Sequence, residues 1–356
     1  MNRKPFAVRA AATTAVMLMS SALVAPVASA QSSLTVTSWG GAYTKSQEKA
    51  YMEPFSKATG TKILQDEWDG SPAKIKGMVE TKQVTWDVVD VEPSHALQGC
   101  DEGWLEKIDY SKLGGKDRFI DGAAMECAVA TIVFGTIYAY NADKFPKGGP
   151  QTMADLWDVK KFPGPRALRK SPKTTLEFAL IADGVPAKDV YKVLGTKAGV
   201  DRAFKKLDEL RPNVKVWWTA GAQPPQLLAD GEVVMTSAWN GRIYDAVKNS
   251  GKPFKIVWDG QGLDFNLWAI PKGTKNLAAA QQFVAFTVKP EVMATQSQYI
   301  SYGPTLKAAM SKVPASVQAD LPNAPANFKN AFVVSPQFWA DHEEELTERF
   351  NKWLSR

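Results

Sequence analysis

Three strand–turn–helix units follow one another near the start of the chain, and this order restricts the possible folds more than any other feature. The strands are predicted at residues 34–37, 61–66 and 86–91, and a helical stretch follows each of them. Consecutive strands that are joined by helices usually lie parallel in one sheet. We therefore expect an α/β fold, in which ligands bind at the carboxyl ends of the strands.

Each of these strands is followed by a turn whose side chains suit a ligand. Trp39 and Tyr43 lie on either side of two glycines after the first strand, and glycines let the backbone approach a ligand closely. Trp68 follows the second strand and Ser94 the third. We predict that these four residues bind a ligand, with the alternative that the aromatic rings belong to the core.

Two later strands are much longer than the average of about five to six residues. They are predicted at residues 128–141 and 262–271, and strands of this length can cross between two lobes. Two crossings make the lobes discontinuous in sequence. We predict a first lobe formed by residues 31–137 and 268–356, and a second lobe formed by residues 138–267.

The stretch from residue 231 to 242 changes from a short β-branched strand at residues 233–235 to polar and aromatic residues. Trp239 and Arg242 stand in the second part, near Gly241. Their position after a buried strand predicts a place in the ligand site. The alternative is that Trp239 caps the core and that Arg242 begins a solvated helix.

The first thirty residues have the pattern of a cleaved secretory signal peptide. Arg3, Lys4 and Arg9 make a basic start, an apolar run follows, and Ala30 ends a small-residue cleavage site. A membrane anchor is the alternative, but Pro26 makes this run a poor spanning helix. Removal of the three cations lowers the formal net charge from +6 to +3 without any basic cluster, so we expect no nucleic acid partner.

Export makes the two cysteines informative, because an oxidising compartment favours pairing. We expect a disulfide between Cys100 and Cys127, with two buried thiols as the alternative. His95 and His342 stand in unlike contexts, so we expect no metal site. The chain has neither a Gly-x-Ser-x-Gly elbow nor a glycine-rich phosphate loop. We therefore predict no catalytic residues, no cofactor and no enzymatic activity.

Several short motifs in a fixed order indicate a family. They are Ser38-Trp39-Gly40-Gly41, residues 153–158 with 162–164, residues 231–235 with 238–241, residues 268–273, and Tyr302-Gly303-Pro304-Thr305. Along nearly the whole mature chain, the sequence resembles periplasmic solute-binding proteins of ABC importers, of the polyamine (spermidine/putrescine) type. The resemblance implies a two-lobed periplasmic binding fold that closes by a hinge over a small solute. It also implies a monomer that docks on an inner-membrane permease.

The resemblance also implies site residues. Trp39, Tyr43 and Trp239 match the aromatic box of polyamine binders, and Tyr302 belongs to a shared motif. The chain departs from the family at Ser171, where the second lobe usually has acidic residues.

Two further departures change the expected ligand. Asp264 lies near the second crossing, and Arg242 stands where a small neutral residue is common. An arginine suits a carboxylate and an aspartate suits an ammonium group, which predicts a zwitterion such as γ-aminobutyrate (GABA). A polyamine stays open, because Arg242 and Asp264 could instead pair with each other.

Two other classes also stay open. One is an exported enzyme that acts on a small amine. The other is an iron-binding transport protein, for which Tyr299 and Tyr302 are the nearest approach to a pair of tyrosine ligands.

Overall fold

A mixed β-sheet is the centre of the fold in the computed structural model, which describes residues 1–2 and 33–356. Within these residues the strand order is β2-β1-β3-β8-β4-β7-β5-β6, while β10 pairs with β8 and β9 pairs with β4. The strands are β1 Ser33–Ser38, β2 Lys62–Glu67, β3 Val88–Val91, β4 Ala128–Asn141, β5 Arg166–Arg169, β6 Val214–Trp218, β7 Met235–Trp239, β8 Phe254–Ala269, β9 Gly303–Pro304 and β10 Phe332–Val333. The predicted signal peptide and its cleavage after Ala30 lie outside the described residues.

The first three strands form the parallel sheet that the sequence predicts. Strand β1 lies between β2 and β3 and is parallel to both. The central strand β3 is buried along its whole length, which agrees with its β-branched sequence. Strand β8 then adds on the other side of β3 in antiparallel orientation. The α/β class is therefore confirmed.

The two long strands are also confirmed. Strand β4 has the predicted bounds, and β8 pairs with it in antiparallel orientation along most of its length. Strand β8 begins eight residues before the predicted start at residue 262. Gly260, with a φ of 71°, lets the strand continue through a local irregularity between residues 257 and 262.

Helices connect the strands of the sheet. A π-helical segment, Glu48–Met52, joins the first two helices into one continuous element. The α-helices are α1 Gly41–Gln47, α2 Glu53–Thr59, α3 Pro72–Glu80, α4 Pro93–Asp101, α5 Met153–Trp157, α6 Thr175–Ala182, α7 Val190–Leu194, α8 Lys197–Leu210, α9 Gln223–Ala229, α10 Asn240–Ser250, α11 Leu277–Thr287, α12 Pro290–Gln296, α13 Lys307–Met310, α14 Ala315–Gln318, α15 Pro325–Phe328 and α16 Pro336–Leu354.

The strand predicted at residues 233–235 is displaced in the structure. Strand β7 begins at Met235, where pairing with β4 starts, and it continues to Trp239. Helix α10 follows without a separate turn. Trp239 is therefore the last residue of a strand, and Arg242 lies in the first turn of a helix.

Three apolar cores occur in the described residues. The first is built around β1, β3 and the carboxyl half of β8, together with α11. The second is built around α6, α7 and α8. The third lies between them and includes Tyr43, Phe134, Trp239 and Tyr302. This third core draws residues from both predicted lobes, so it is the place where a ligand between the lobes would lie.

The last helix, α16, packs on the second core. Trp339 and Phe350 are fully buried there, and the Trp353 ring lies 5.6 Å from the Trp217 ring and 5.9 Å from the Phe204 ring. The predicted lobe boundaries placed these last residues in the first lobe, and the boundaries remain a prediction.

The cysteine prediction is confirmed. Cys100, in α4, and Cys127, just before β4, form a disulfide with their Cα atoms 5.5 Å apart. Among the residues that the structure describes, no helix is both long and apolar enough to cross a membrane.

Candidate functional site

A small closed cavity lies at the third core, where several strands end. Trp39 follows the end of β1, Glu92 follows the end of β3, and Trp239 ends β7. The lining residues are Trp39, Tyr43, Glu92, Phe134, Trp239, Arg242, Asn266 and Tyr302. The free volume of the cavity is about 10 Å³, measured as the space that the centre of a water molecule can reach, so there is room for about one water molecule. A solute therefore requires the cavity to widen.

Aromatic rings form most of the walls. The Trp39 and Trp239 rings meet edge to face with centroids 6.0 Å apart, and Phe134 lies 6.4 Å from Trp239. Tyr43 and Tyr302 meet in the same way at 5.4 Å. Such rings offer apolar contact and faces that attract cations.

Glycines let these rings approach the backbone. A Cβ atom on Gly221 would lie 2.3 Å from the Trp239 ring, and one on Gly241 would lie 2.5 Å from the Tyr302 ring. Real Cβ atoms essentially never come so close to other atoms. The rings could not keep these positions if either glycine carried a side chain.

A buried carboxylate, Asp90, holds one wall in place. It accepts hydrogen bonds from Trp39 Nε1 at 3.0 Å, Tyr43 Oη at 2.7 Å and Gln47 Nε2 at 2.6 Å, and from Asn266 Nδ2. Burial raises the pKa of Asp90 to about 7, although these hydrogen bonds act in the opposite direction. Asp90 therefore orients two ring side chains and the Asn266 amide of the lining.

The Arg242 guanidinium closes the cavity on another side. The residue is 3% exposed, and its Cζ lies 5.6 Å from the Tyr43 ring centre and 5.7 Å from that of Trp239. Nη1 donates to the Gly40 carbonyl at 2.7 Å. Gly40 has a φ of 71°, a conformation that glycine adopts without strain. Burial lowers the pKa of Arg242, but an arginine keeps its charge at neutral pH.

Two buried donors beside the cavity have no hydrogen-bond partner within residues 33–356. They are Nε of Arg242 and Nε1 of Trp239, and both side chains line the cavity. The first turn of α10 also has no side-chain cap. Buried donors are costly when unpaired. An acceptor group such as a carboxylate would satisfy them, and a helix N-terminus favours a negative charge.

An ionic cluster adjoins the cavity at Glu92. Lys173 Nζ donates to Glu92 Oε2 at 2.6 Å and to Ser94 Oγ at 2.7 Å, and these three residues are at most 3% exposed. Arg169 Nη1 lies 3.7 Å from Glu92 Oε1. The Arg169 guanidinium also lies 5.1 Å from the Trp239 ring centre. The carboxylate of the cavity wall is therefore already paired with cations of the chain.

Asp264 is a further buried acid, and it forms no ion pair within the described residues. It is 4% exposed, and its Oδ1 accepts a hydrogen bond from the backbone N–H of Phe265 at 2.8 Å. Burial raises the pKa of Asp264 to about 8, against the opposing effect of Lys173. For Glu92, burial also raises the pKa, but Lys173 and Arg169 outweigh burial and hold it below its ordinary value.

Comparison with known proteins identifies the family of this chain. A sequence profile of the bacterial extracellular solute-binding proteins matches residues 50–326. A γ-aminobutyric acid-binding protein of Pseudomonas aeruginosa is 49% identical over 93% of this chain and 94% of its own length. The chain belongs to this family.

Two further relatives support the same assignment for this solute-binding protein. A spermidine/putrescine-binding periplasmic protein of Salmonella typhimurium is 23% identical over 96% of this chain and 97% of its own length. The solved structure of the Atu4243-GABA receptor is 34% identical, with a TM-score of 0.79, over 90% of this chain and 97% of that one.

The family resemblance, the two-lobed fold and the role as substrate-binding component of an ABC transporter are thus confirmed. Members of this family bind small solutes and deliver them to ABC permeases. The relatives are binding proteins that act outside the cytoplasm, which implies export.

The cavity of this solute-binding protein brings together five of the nine residues predicted to bind ligand. These are Trp39, Tyr43, Trp239, Arg242 and Tyr302. Arg242 is buried in the first turn of α10 and is not solvated, and Trp239 lies in the third core as the alternative expected. No ion pair joins Arg242 to Asp264 in the part of the chain that the structure describes. The ligand contacts of all nine residues remain a prediction.

The other four predicted residues lie behind the cavity lining. The Trp68 ring lies 5.2 Å from the Trp39 ring. Ser94 belongs to the ionic cluster, and Ser171 Oγ accepts a hydrogen bond from the backbone N–H of Lys173 at 3.2 Å. Asp264 lies two residues before Asn266 on β8, and both therefore point to the same face of the sheet. Asp264 can reach a ligand only if the cavity widens.

Sequence reasoning did not select several residues that shape the site. Asp90 and Glu92 carried the clearest signal, because two acidic residues alternate with a valine at the end of an otherwise apolar strand. Phe134 was considered only as part of a crossing strand, and Asn266 only as a departure, beside Asp264, from the family pattern. Nothing in the sequence around Lys173 marks it as a buried residue.

A larger hollow lies on the surface between α8 and α16, with a volume of about 450 Å³. It is lined largely by charged side chains, of which Arg349 and Asp201 form an ion pair. Its exposed, self-paired charges suit a solute less well than the buried aromatic cavity does.

Proposed function

We propose that this protein binds a small zwitterion of the GABA type, with one ammonium group and one carboxylate, in the aromatic cavity. The observation that carries the proposal is the buried Arg242, whose Nε has no partner in the described residues, next to the unpartnered Trp239 Nε1. These donors and the uncapped start of α10 favour a carboxylate at this end of the cavity.

The other end of the cavity suits an ammonium group. Asp264 is buried and forms no ion pair within the described residues, whereas Glu92 in the wall is already paired with Lys173. The aromatic rings between the two ends can contact a short alkyl chain. The similarity to a GABA-binding protein and to the Atu4243-GABA receptor supports this ligand class.

Solute capture then requires a hinge. We propose that the cavity widens and closes by bending at the two crossing strands, β4 and β8, between lobes formed by residues 31–137 with 268–356 and by residues 138–267. Hinge closure of two domains around a ligand is a common mode of binding. The Arg242–Gly40 hydrogen bond joins the two predicted lobes and must break when they separate.

Calorimetry on the purified, ligand-free protein tests the ligand. We expect binding of GABA, and we expect Arg242→Ala to weaken it at least about 30-fold, the low end for loss of a buried charge pair. Arg202→Ala is a matched control, because Arg202 forms an exposed ion pair with Asp183. Tight putrescine binding by the wild type, with no heat from GABA, would overturn the proposal.

Mass spectrometry of the protein secreted from its full-length precursor tests the remaining expectations. We propose export to the periplasm with cleavage after Ala30, so the mature chain should begin at Gln31. We also propose binding without chemical turnover by a monomer. A solute recovered unchanged after prolonged incubation agrees with this, whereas a converted product would indicate an exported enzyme.

A further inference from the structure

Lys173 places an ammonium group of the protein itself against the wall of the cavity. Its Nζ lies 2.6 Å from the Glu92 carboxylate and 2.7 Å from Ser94 Oγ, and the Lys173 side chain is 3% exposed. Glu92 is the only carboxylate among the lining residues in the described part of the chain. The Lys173 ammonium group therefore occupies the position that a ligand ammonium group would take beside the Glu92 carboxylate.

The backbone around Lys173 is arranged to hold the side chain inward. Its N–H donates to Ser171 Oγ at 3.2 Å, and its carbonyl accepts from Thr174 Oγ1 at 2.6 Å. Thr174 has a φ of 66°, an uncommon conformation for a residue with a branched side chain. Such strain persists only where the surrounding contacts impose it.

The charges around Lys173 keep it protonated. Burial alone would lower its pKa, but Glu92, Glu343 and Asp264 outweigh burial and hold the pKa above its ordinary value. Glu343 lies on α16, 3.5 Å from Ser94 Oγ and 3.4 Å from His95 Nε2. The cation is thus held by Glu92 and Ser94, and Glu343 from α16 adds a negative charge beside Ser94.

A ligand with two ammonium groups needs two negative partners. Glu92 is already paired with Lys173 and lies 3.7 Å from Arg169. Two other buried acids near the cavity, Asp90 and Asp264, form no ion pair within residues 33–356. Asp90 already accepts four side-chain hydrogen bonds, which leaves Asp264 as the available partner. A second ligand ammonium would meet the positive charges of Lys173, Arg169 and Arg242. We propose that Lys173 is a specificity-determining residue that occupies Glu92 as a built-in ammonium and thereby excludes diamines.

This inference deepens the proposed function and rests on it for the identity of the accepted ligand. The exclusion of diamines has its own test, which is the change in putrescine affinity when Lys173 is replaced. The methionine side chain has the same length as the lysine side chain as far as Cε. Lys173→Met therefore removes the ammonium group and keeps the apolar stem.

We expect Lys173→Met to raise the affinity for putrescine at least about tenfold by calorimetry, the low end for a charge-assisted hydrogen bond. Lys173→Arg keeps a cation in place and should keep the wild-type preference. Lys192→Met removes an exposed lysine that pairs with Asp189, and it should change neither affinity. Unchanged putrescine affinity in folded Lys173→Met would overturn the inference.

The double variant Lys173→Met/Glu92→Gln covers the case in which the single variant does not fold. It buries no unpaired carboxylate at position 92, and its folding is checked by circular dichroism. We expect no gain in putrescine affinity, because the freed acceptor charge is gone. A gain in the double variant would show that Glu92 is not the partner and would refute the inference. If the wild type fails to bind GABA but Lys173→Met gains putrescine, the ligand proposal alone is wrong.

Discussion

If Asp264 binds the ligand ammonium as we propose, its buried carboxyl group links solute binding to pH. Its pKa is raised to about 8 in the ligand-free protein, so about nine-tenths of the molecules hold this proton at pH 7. In the proposed complex a ligand ammonium pairs with the carboxylate rather than with the neutral acid, so we expect binding to release the proton. Alkyl ammonium groups keep their own charge up to about pH 10.

The size of the effect follows from this pKa. The apparent Kd for GABA should fall about tenfold between pH 6 and 7, about fivefold between pH 7 and 8, and less than about twofold between pH 8 and 9. Calorimetry in buffers of different ionisation enthalpy should detect about one proton released at pH 6 and about 0.1 at pH 9.

Stability gives an independent readout of the same group. The folded chain holds the Asp264 proton more tightly than the unfolded chain does. The protonated Asp264 carboxyl group therefore contributes its full stabilisation below about pH 4, and this stabilisation is lost as the pH rises through about 8. The melting temperature of the ligand-free protein should decrease less over this range in Asp264→Asn than in the wild type.

Two variants separate Asp264 from other groups that titrate in this range. Asp264→Asn should bind GABA with little dependence on pH. Glu177→Gln is the control, because Glu177 is a buried acid with a pKa of about 7 that hydrogen-bonds to Tyr191 and Trp339 rather than lining the cavity. A flat wild-type profile between pH 6 and 8, or the same slope in Asp264→Asn, would refute the reasoning.

Two further predictions concern packing and the disulfide. Gly221→Ala puts a methyl group where the Trp239 ring lies, so it should cost about 1–3 kcal/mol of stability and weaken GABA binding at least about fivefold. Gly77→Ala, whose added Cβ meets nothing within 4 Å in α3, should leave binding unchanged and stabilise by up to about 1 kcal/mol. Wild-type affinity in Gly221→Ala, measured by calorimetry, would contradict the first expectation. Replacing Cys100 and Cys127 by serine opens a loop with a sequence separation of 27, and should lower the free energy of urea unfolding by about 3.5 kcal/mol. An unchanged urea midpoint and slope would show that the bond constrains little.

The sequence predicts the fold well where hydrophobic patterning decides it. Strand β4 is uninterrupted and β-branched, so its bounds were predicted correctly. The error at β7 arose because strand pairing, and not local composition, determines where that strand begins. Residues 233–234 are as apolar as the strand itself, but they precede the ladder with β4. Local composition therefore could not distinguish them.

The site was predictable only in part, for a different physical reason. Aromatic and glycine residues at strand ends identify Trp39 and Trp239 directly, because the carboxyl ends of parallel strands meet at one edge. Lys173 could not be found in this way, because lysine is usually exposed. Its burial depends on Glu92, which is 81 residues away in the sequence. Pairing over such a distance leaves no local pattern.

The packing of α16 on the second core has a consequence for how the chain folds. Phe204 and Trp217 contact Trp353, which lies almost at the carboxyl terminus. The core formed by α6, α7 and α8 therefore stays incomplete on the ribosome until residue 353 has been synthesised. Contacts so distant in sequence form late, because closing a long loop is entropically costly. Until then the chain lacks its full second core, which is the state in which an extended chain can pass through a translocation pore.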